Sequence, residues 1–160
     1  MTRAAGDGYR LPTEAEWEWA CRGGTSTFWS HDNEEISLPN VGWFEANSHM
    51  RTHAVGQLDA NPFGLHDMHG NVGEICQDGF DTLEYAQRAT GVAVNPRGPV
   101  AAQRRAIRGG HYASNAGSLG SPFRLDTGEN ARYANNGFRI AISVRLPEPN
   151  PNAAPEVRGE

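Results

Sequence analysis

The residues best placed to do chemistry are oxygen donors in one short run, Asp67-Met-His-Gly-Asn-Val-Gly-Glu74, together with six histidines and two cysteines. Calcium takes six to eight oxygens from carboxylates, amides and backbone carbonyls on a flexible loop, and this run supplies two carboxylates amid glycines. His66 and His69 stand three apart, a spacing that makes a metal pair on a helix, but Gly64 and Gly70 bracket them, which favours ordinary hydrogen-bonding histidines. Cys21 and Cys76 can form one disulfide at most, and isolated cysteines are more often small buried hydrophobes. No Ser-His-Asp arrangement, phosphate loop or dinucleotide fingerprint is present to name a substrate.

The elements that must position these groups are short. Thr13 and Glu16 form a capping box behind Pro12, Trp17, Ala20 and Cys21 share a face, and Gly23-Gly24 is a stop, so one helix is expected within residues 11–24. Residues 25–61 read as loops pinned by buried aromatics, and residues 64–78 as a turn followed by a strand. Residues 104–111 and 137–145 look like strands, the second with alternating β-branched positions, and the two are expected to pair in a core sheet. Between them lies a polar stretch, residues 111–136, with four asparagines; an ordered loop of that length is usually functional. The tail, residues 146–160, holds four prolines and few apolar residues, the pattern of an extended segment that docks on a partner.

Composition narrows the class. One domain with a small core is expected from 160 residues at 38% hydrophobic content, and 19 glycines with 10 prolines imply much turn and loop. A net charge of −5 with scattered arginines argues against nucleic-acid binding. No apolar run is long enough for a membrane span, and the first residues have no apolar signal region.

Four motifs in fixed order resemble the formylglycine-generating-enzyme and sulfatase-modifying-factor superfamily. They are Arg10-Leu-Pro-Thr-Glu-Ala-Glu-Trp-Glu-Trp-Ala-Cys-Arg-Gly-Gly24, Asn61-Pro-Phe-Gly-Leu-His-Asp-Met-His-Gly-Asn-Val72, Arg108-Gly-Gly-His-Tyr112 and Gly137-Phe-Arg-Ile-Ala141. The resemblance implies an α+β, C-type-lectin-like fold with short twisted sheets over residues 9–145, after a lead of residues 1–8. It also implies that the family domain begins upstream of the first helix. The family's copper-holding cysteine pair falls on Ser114 and Leu119, and neither supplies a thiolate for copper(I). The family's calcium loop falls on the carboxylates of Asp67 and Glu74 and the carbonyls of Gly70 and Val72. A second, looser site falls on Asn40, Val41, Asn47 and His49. The usual Trp-Glu-Trp is here Gly73-Glu74-Ile75, and His111 replaces the usual serine.

These features together predict a non-catalytic, calcium-stabilised binding or structural subunit of a larger protein assembly. Its contact residues are expected at His111, Tyr112, Asn115, Arg124, Asn130 and Tyr133, and its tail is expected to be held by the partner. One alternative is a variable ligand-binding protein of a diversity-generating retroelement, for which Tyr112, Asn115, Asn130, Tyr133, Asn135 and Asn136 are compatible. Another is a metal-dependent oxidoreductase built on His111 and Asp126.

Overall fold

A computed structural model describes residues 8–83, 94–99 and 102–143. The expected tail and its contacts, like residues 1–7, lie outside the described residues.

The helix forms where local chemistry dictates. In α1 (Glu14–Arg22) the Thr13 hydroxyl accepts from the Glu16 N–H at 3.2 Å, while the Thr13 N–H donates to the Glu16 carboxylate at 2.8 Å. Gly23 closes the other end. Trp17 and Cys21 point inward and pack with Met68, Cys76 and Ala106, so both cysteines are free, buried hydrophobes.

The main sheet has four strands. β4 (Gly73–Gly79) pairs antiparallel with β5 (Arg104–Arg108), which pairs antiparallel with β6 (Leu125–Gly128). On its other side β4 pairs in parallel with β7 (Asn136–Gly137). Side chains alternate across a strand, so Glu74, Cys76 and Asp78 are buried on the helix side, while Gly73, Ile75 and Gln77 turn to the opposite face. The helix is fixed there by two polar contacts: the Trp17 indole N–H donates to Glu74 at 2.6 Å, and the Glu14 N–H donates to Asp78 at 2.7 Å. Two smaller pairings complete the described structure. β2 (Gly42–Trp43) runs parallel to β3 (His69–Gly70), and β1 (Tyr9–Arg10) runs antiparallel to β8 (Ala141–Ile142). A second apolar cluster of Trp29, Leu38, Val41, Phe44, Ala116 and Leu119 pins the loops, as their aromatics predict.

Two expectations need correction. The polar stretch 111–136 is not all loop, because it contains a 3₁₀ turn (Ala116–Leu119) and the edge strand β6. The strand expected at 137–145 is broken: its start pairs with β4 rather than β5, and Ala141–Ile142 pairs with β1. The cause is Arg139, whose guanidinium turns inward to Glu74 and leaves the alternating apolar residues Phe138, Ile140 and Ile142 facing solvent.

Candidate functional site

The sheet face away from α1 is the face open to a ligand. Ile107 lies opposite Leu125, and Arg105 opposite Thr127, so Ile107, Leu125 and Thr127 share that face across β5 and β6. They floor a cavity of about 240 Å³ whose walls include His111, Asp126 and Tyr133. Asn135 and Asn136 complete the rim.

His111 reaches this rim because the chain turns sharply after β5. Gly110 has φ +67°, and a Cβ there would stand 2.8 Å from the Ser118 carbonyl and 2.9 Å from a Leu119 methyl. The His111 Nδ1 accepts from the Ala113 N–H at 3.1 Å, which places the proton of the neutral ring on Nε2. Burial lowers its pKa below the ordinary histidine value. The Asn136 amide donates to the Thr127 hydroxyl at 3.3 Å, and the Asn135 carbonyl accepts from the Gly73 N–H at 2.8 Å. Tyr133 is largely exposed, and Asp126 is paired with Arg104. A Cβ on Gly73 would press on a methyl of Ile107 at 2.8 Å, so Ile107 occupies the space into which a larger residue at 73 would grow. The result is an apolar floor ringed by an imidazole, a phenol and two amides, which suits recognition by contact and hydrogen bonding.

The positions matching the copper pair serve packing instead. The Ser114 hydroxyl accepts from the His111 N–H at 3.1 Å, and Leu119 is fully buried in the second apolar cluster. The nearest thiol in chemistry is no substitute, because burial pushes the Cys21 pKa up to about 12. Among the described residues no three His, Cys, Asp or Glu side chains gather as a metal-binding group.

His66 and His69 do not act as a pair. His66 is exposed and donates from Nδ1 to the Leu58 carbonyl at 2.8 Å. His69 is interior: its Nδ1 donates to the Leu119 carbonyl at 2.8 Å, and its Nε2 accepts from the Ser30 N–H and hydroxyl at 3.1 and 2.8 Å. Burial lowers its pKa to about 4.

The loop expected to hold calcium is strongly curled, with φ +57° at Asp67, +91° at Gly70 and +62° at Asn71. Position 70 admits only glycine, because a Cβ would overlap the Trp43 carbonyl oxygen. Asp67 gives Oδ2 to the Gly56 N–H at 2.7 Å. Glu74 receives Arg139 on both oxygens, at 2.5 and 2.7 Å, and the same Arg139 nitrogen donates to the His66 carbonyl at 3.1 Å. The loop's oxygen atoms thus gather around the Arg139 guanidinium; a calcium ion there would draw on the Asp67 and Glu74 side chains and the Gly70 and Val72 carbonyls, displacing part of that pairing. The residues of the second expected set are engaged locally. Asn47 accepts from the Phe44 N–H and donates to the Gly42 and Pro39 carbonyls, so its amide closes a local turn, and the Asn40 carbonyl accepts from Asp59. Val41 packs in the core and His49 is exposed.

Of the expected contact residues, His111 and Tyr133 line the cavity. The Tyr112 backbone is fastened to Asn71 and Ser48, with its ring 5.8 Å from that of His111. Asn115 caps the 3₁₀ turn and Asn130 sits in an exposed turn after β6. Arg124 is a correction: it makes two bonds to Glu14, at 2.5 and 2.7 Å, and lies over Phe80, so it braces α1 outside the cavity. Sequence patterning missed the cavity floor, because Leu125 and Thr127 belong to a strand hidden in the polar stretch.

Comparison with known proteins places this geometry. Residues 1–144 match the family described as Sulfatase-modifying factor enzyme 1-like domain. The chain is 37% identical over 139 residues to the serine/threonine-protein kinase pkn1 of Chlamydia pneumoniae, covering 86% of this chain and 21% of that protein. It is 36% identical over 155 residues to the formylglycine-generating enzyme of Streptomyces coelicolor, covering 87% of this chain and 48% of the enzyme. Treponema denticola variable protein 1 superimposes with a TM-score of 0.74 and 35% identity, over 86% of this chain and 49% of that one. The chain thus spans between a fifth and a half of these relatives' lengths. Its one α-helix among the described residues, its short sheets and these matches make it a member of the formylglycine-generating-enzyme-like, sulfatase-modifying-factor family with the C-type-lectin-like α+β fold.

Proposed function

We propose that this chain is a non-catalytic binding module of a larger protein assembly, with the cavity on the open sheet face as its contact site. One observation carries the reading: the apolar floor of Ile107 and Leu125 is ringed by His111, Tyr133, Asn135 and Asn136. Two further facts support it. Ser114 and Leu119 are spent on packing, and Asp126, the acid beside His111, is neutralised by Arg104. Calcium in the Asp67 to Glu74 loop braces the scaffold, and the tail 146–160 adds a second hold on the partner. The test returns tagged chain to its native source and compares recovery of the assembly with a Tyr133→Ala, Asn135→Ala variant. A loss of tenfold or more is expected, and equal recovery removes the cavity from the binding site.

A second reading, a variable ligand-binding protein, is favoured by the likeness to Treponema denticola variable protein 1. A near-copy of the segment coding for residues 111–136 beside a reverse-transcriptase gene would establish it. The oxidoreductase reading has His111 and Asp126 on one cavity in its support. Metal analysis after extensive dialysis decides that case, since stoichiometric iron or copper is its signature and calcium alone is the signature of the scaffold.

A further inference from the structure

The guanidinium of Arg139 stands where oxygen acceptors of residues 66–74 converge. The segment that carries it is seated on the loop itself: β7 pairs with β4 so that Gly137 lies opposite Glu74, and a Cβ on Gly137 would stand 2.6 Å from a Val72 methyl. Two residues on, Arg139 donates from Nε to one Glu74 oxygen at 2.5 Å and from a terminal nitrogen to the other at 2.7 Å. The same terminal nitrogen reaches the His66 and Asp67 carbonyls at 3.1 and 3.5 Å. All four acceptors are carboxylate or backbone oxygens, the donor type that a hard divalent cation takes.

Glu74 needs positive charge beside it. Its side chain is 8% exposed, against 25% for Arg139, and its remaining side-chain donor among the described residues is the neutral Trp17 indole N–H at 2.6 Å. A buried carboxylate stripped of its partner charge is costly, and the fold supplies a cation of its own. A divalent ion on the same carboxylate would repel the guanidinium across a partly buried site, so the two cannot both hold Glu74 in full. We propose that Arg139 sets the affinity of this loop for calcium: the guanidinium is the chain's own cation at Glu74, and calcium is bound only as Arg139 gives up part of that hold. The proposal rests on the calcium reading above and names the residue that regulates it. Charge gives the direction. Asp67 and Glu74 bring two negative charges and Arg139 cancels one, and calcium loops tune their affinity by the charge of their ligands. Removing the guanidinium therefore tightens calcium binding, while in chelator it leaves a buried carboxylate uncompensated and lowers the melting temperature. A residue that served pairing alone would show the second effect without the first.

The test titrates calcium chloride by calorimetry into the full 160-residue chain and into an Arg139→Met variant, with melting curves in chelator and in calcium. Arg139→Met should bind calcium roughly tenfold more tightly than wild type, or better. Calcium should also raise the melting temperature of that variant by more than it raises that of wild type. Arg139→Lys keeps the charge but cannot bridge both Glu74 oxygens. Its affinity should fall between the other two, and it carries the comparison if the methionine variant does not fold. Calcium binding by the variants with none by wild type supports the proposal in its extreme form. Equal or weaker binding by the variants overturns the proposal and leaves the calcium reading standing. No heat and no melting shift in any of the chains overturns both.

Discussion

His69 is the residue on which pH acts most directly. It is neutral inside the protein, donating to Leu119 and accepting from Ser30, and burial holds its pKa near 4 against 6.5 for the free side chain. Because the folded pKa is depressed, the unfolded chain binds the proton first, and stability present above pH 6.5 is lost as pH falls toward 4. The loss from this one group is about 3 kcal/mol, read as a falling urea midpoint across that window. A His69→Gln variant should start lower and show a flatter pH slope; an unchanged slope would clear His69 of the effect. Its neighbour Leu119 makes a second prediction. Leu119→Ala should cost about 2 to 5 kcal/mol in urea unfolding, since it empties a fully buried site. Copper(I) with a sulfatase-motif peptide should leave the peptide's cysteine unconverted, because Ser114 and Leu119 offer no thiolate. The glycines around His66 and His69 pointed to ordinary hydrogen-bonding histidines, as both are, but not to which of them is interior, because that is tertiary: β3 carries His69 inward against Ser30 while His66 stays on the surface.

At the scale of elements, α1 is held by an ion network that spans the sheet. Buried Glu14 receives Arg124 through two bonds and Arg108 at 3.3 Å, and fully buried Arg108 also reaches Glu18 at 2.5 Å and the Ser121 carbonyl at 2.9 Å. Glu14→Ala leaves the buried Arg108 with less compensation, and removing one partner of such a pair costs about 3 to 5 kcal/mol. The cap is smaller: Thr13→Ala should cost about 1 kcal/mol. Both are read from urea midpoints, and similar costs for the two would show that Glu14 acts as a local helix residue rather than as a tie between elements. The helix was legible in the sequence because Thr13 with Glu16 at one end and Gly23 at the other each act within a turn of the residues they cap. The strand after Gly137 was not, because the residue that breaks it, Arg139, answers to Glu74, 65 positions away. An alternating pattern tells which residues share a face, and only the partner of Arg139 tells which face is out.

At the scale of the whole molecule, the motifs fixed the family and hence the fold, whereas the cavity escaped them because its floor comes from two strands and its rim from the chain that follows each. His111 and Tyr133 were visible as polar residues in a long stretch; that Ile107 lies beneath them follows only from the β5–β6 register. The loop of residues 67–74 joins the same levels. It links β3 to β4, the central strand, and Glu74 at its end touches both Trp17 of α1 and Arg139 of the final segment. An ion held by Asp67 and Glu74 would therefore tie helix, sheet and C-terminal segment at one point, and its loss would be felt as global stability rather than as local fraying. Mass action sets the size: about 2.7 kcal/mol at a hundredfold excess over the dissociation constant. A chelator should lower the melting temperature of the wild-type chain and leave Asp67→Ala unmoved, and added calcium should restore the former alone. Glu74→Gln separates the ion from the frame, because it weakens the Arg139 pairing as well and should lower stability even under chelator. Melting curves of wild type and Asp67→Ala that coincide with and without chelator would mean that Arg139 is the only cation the loop requires.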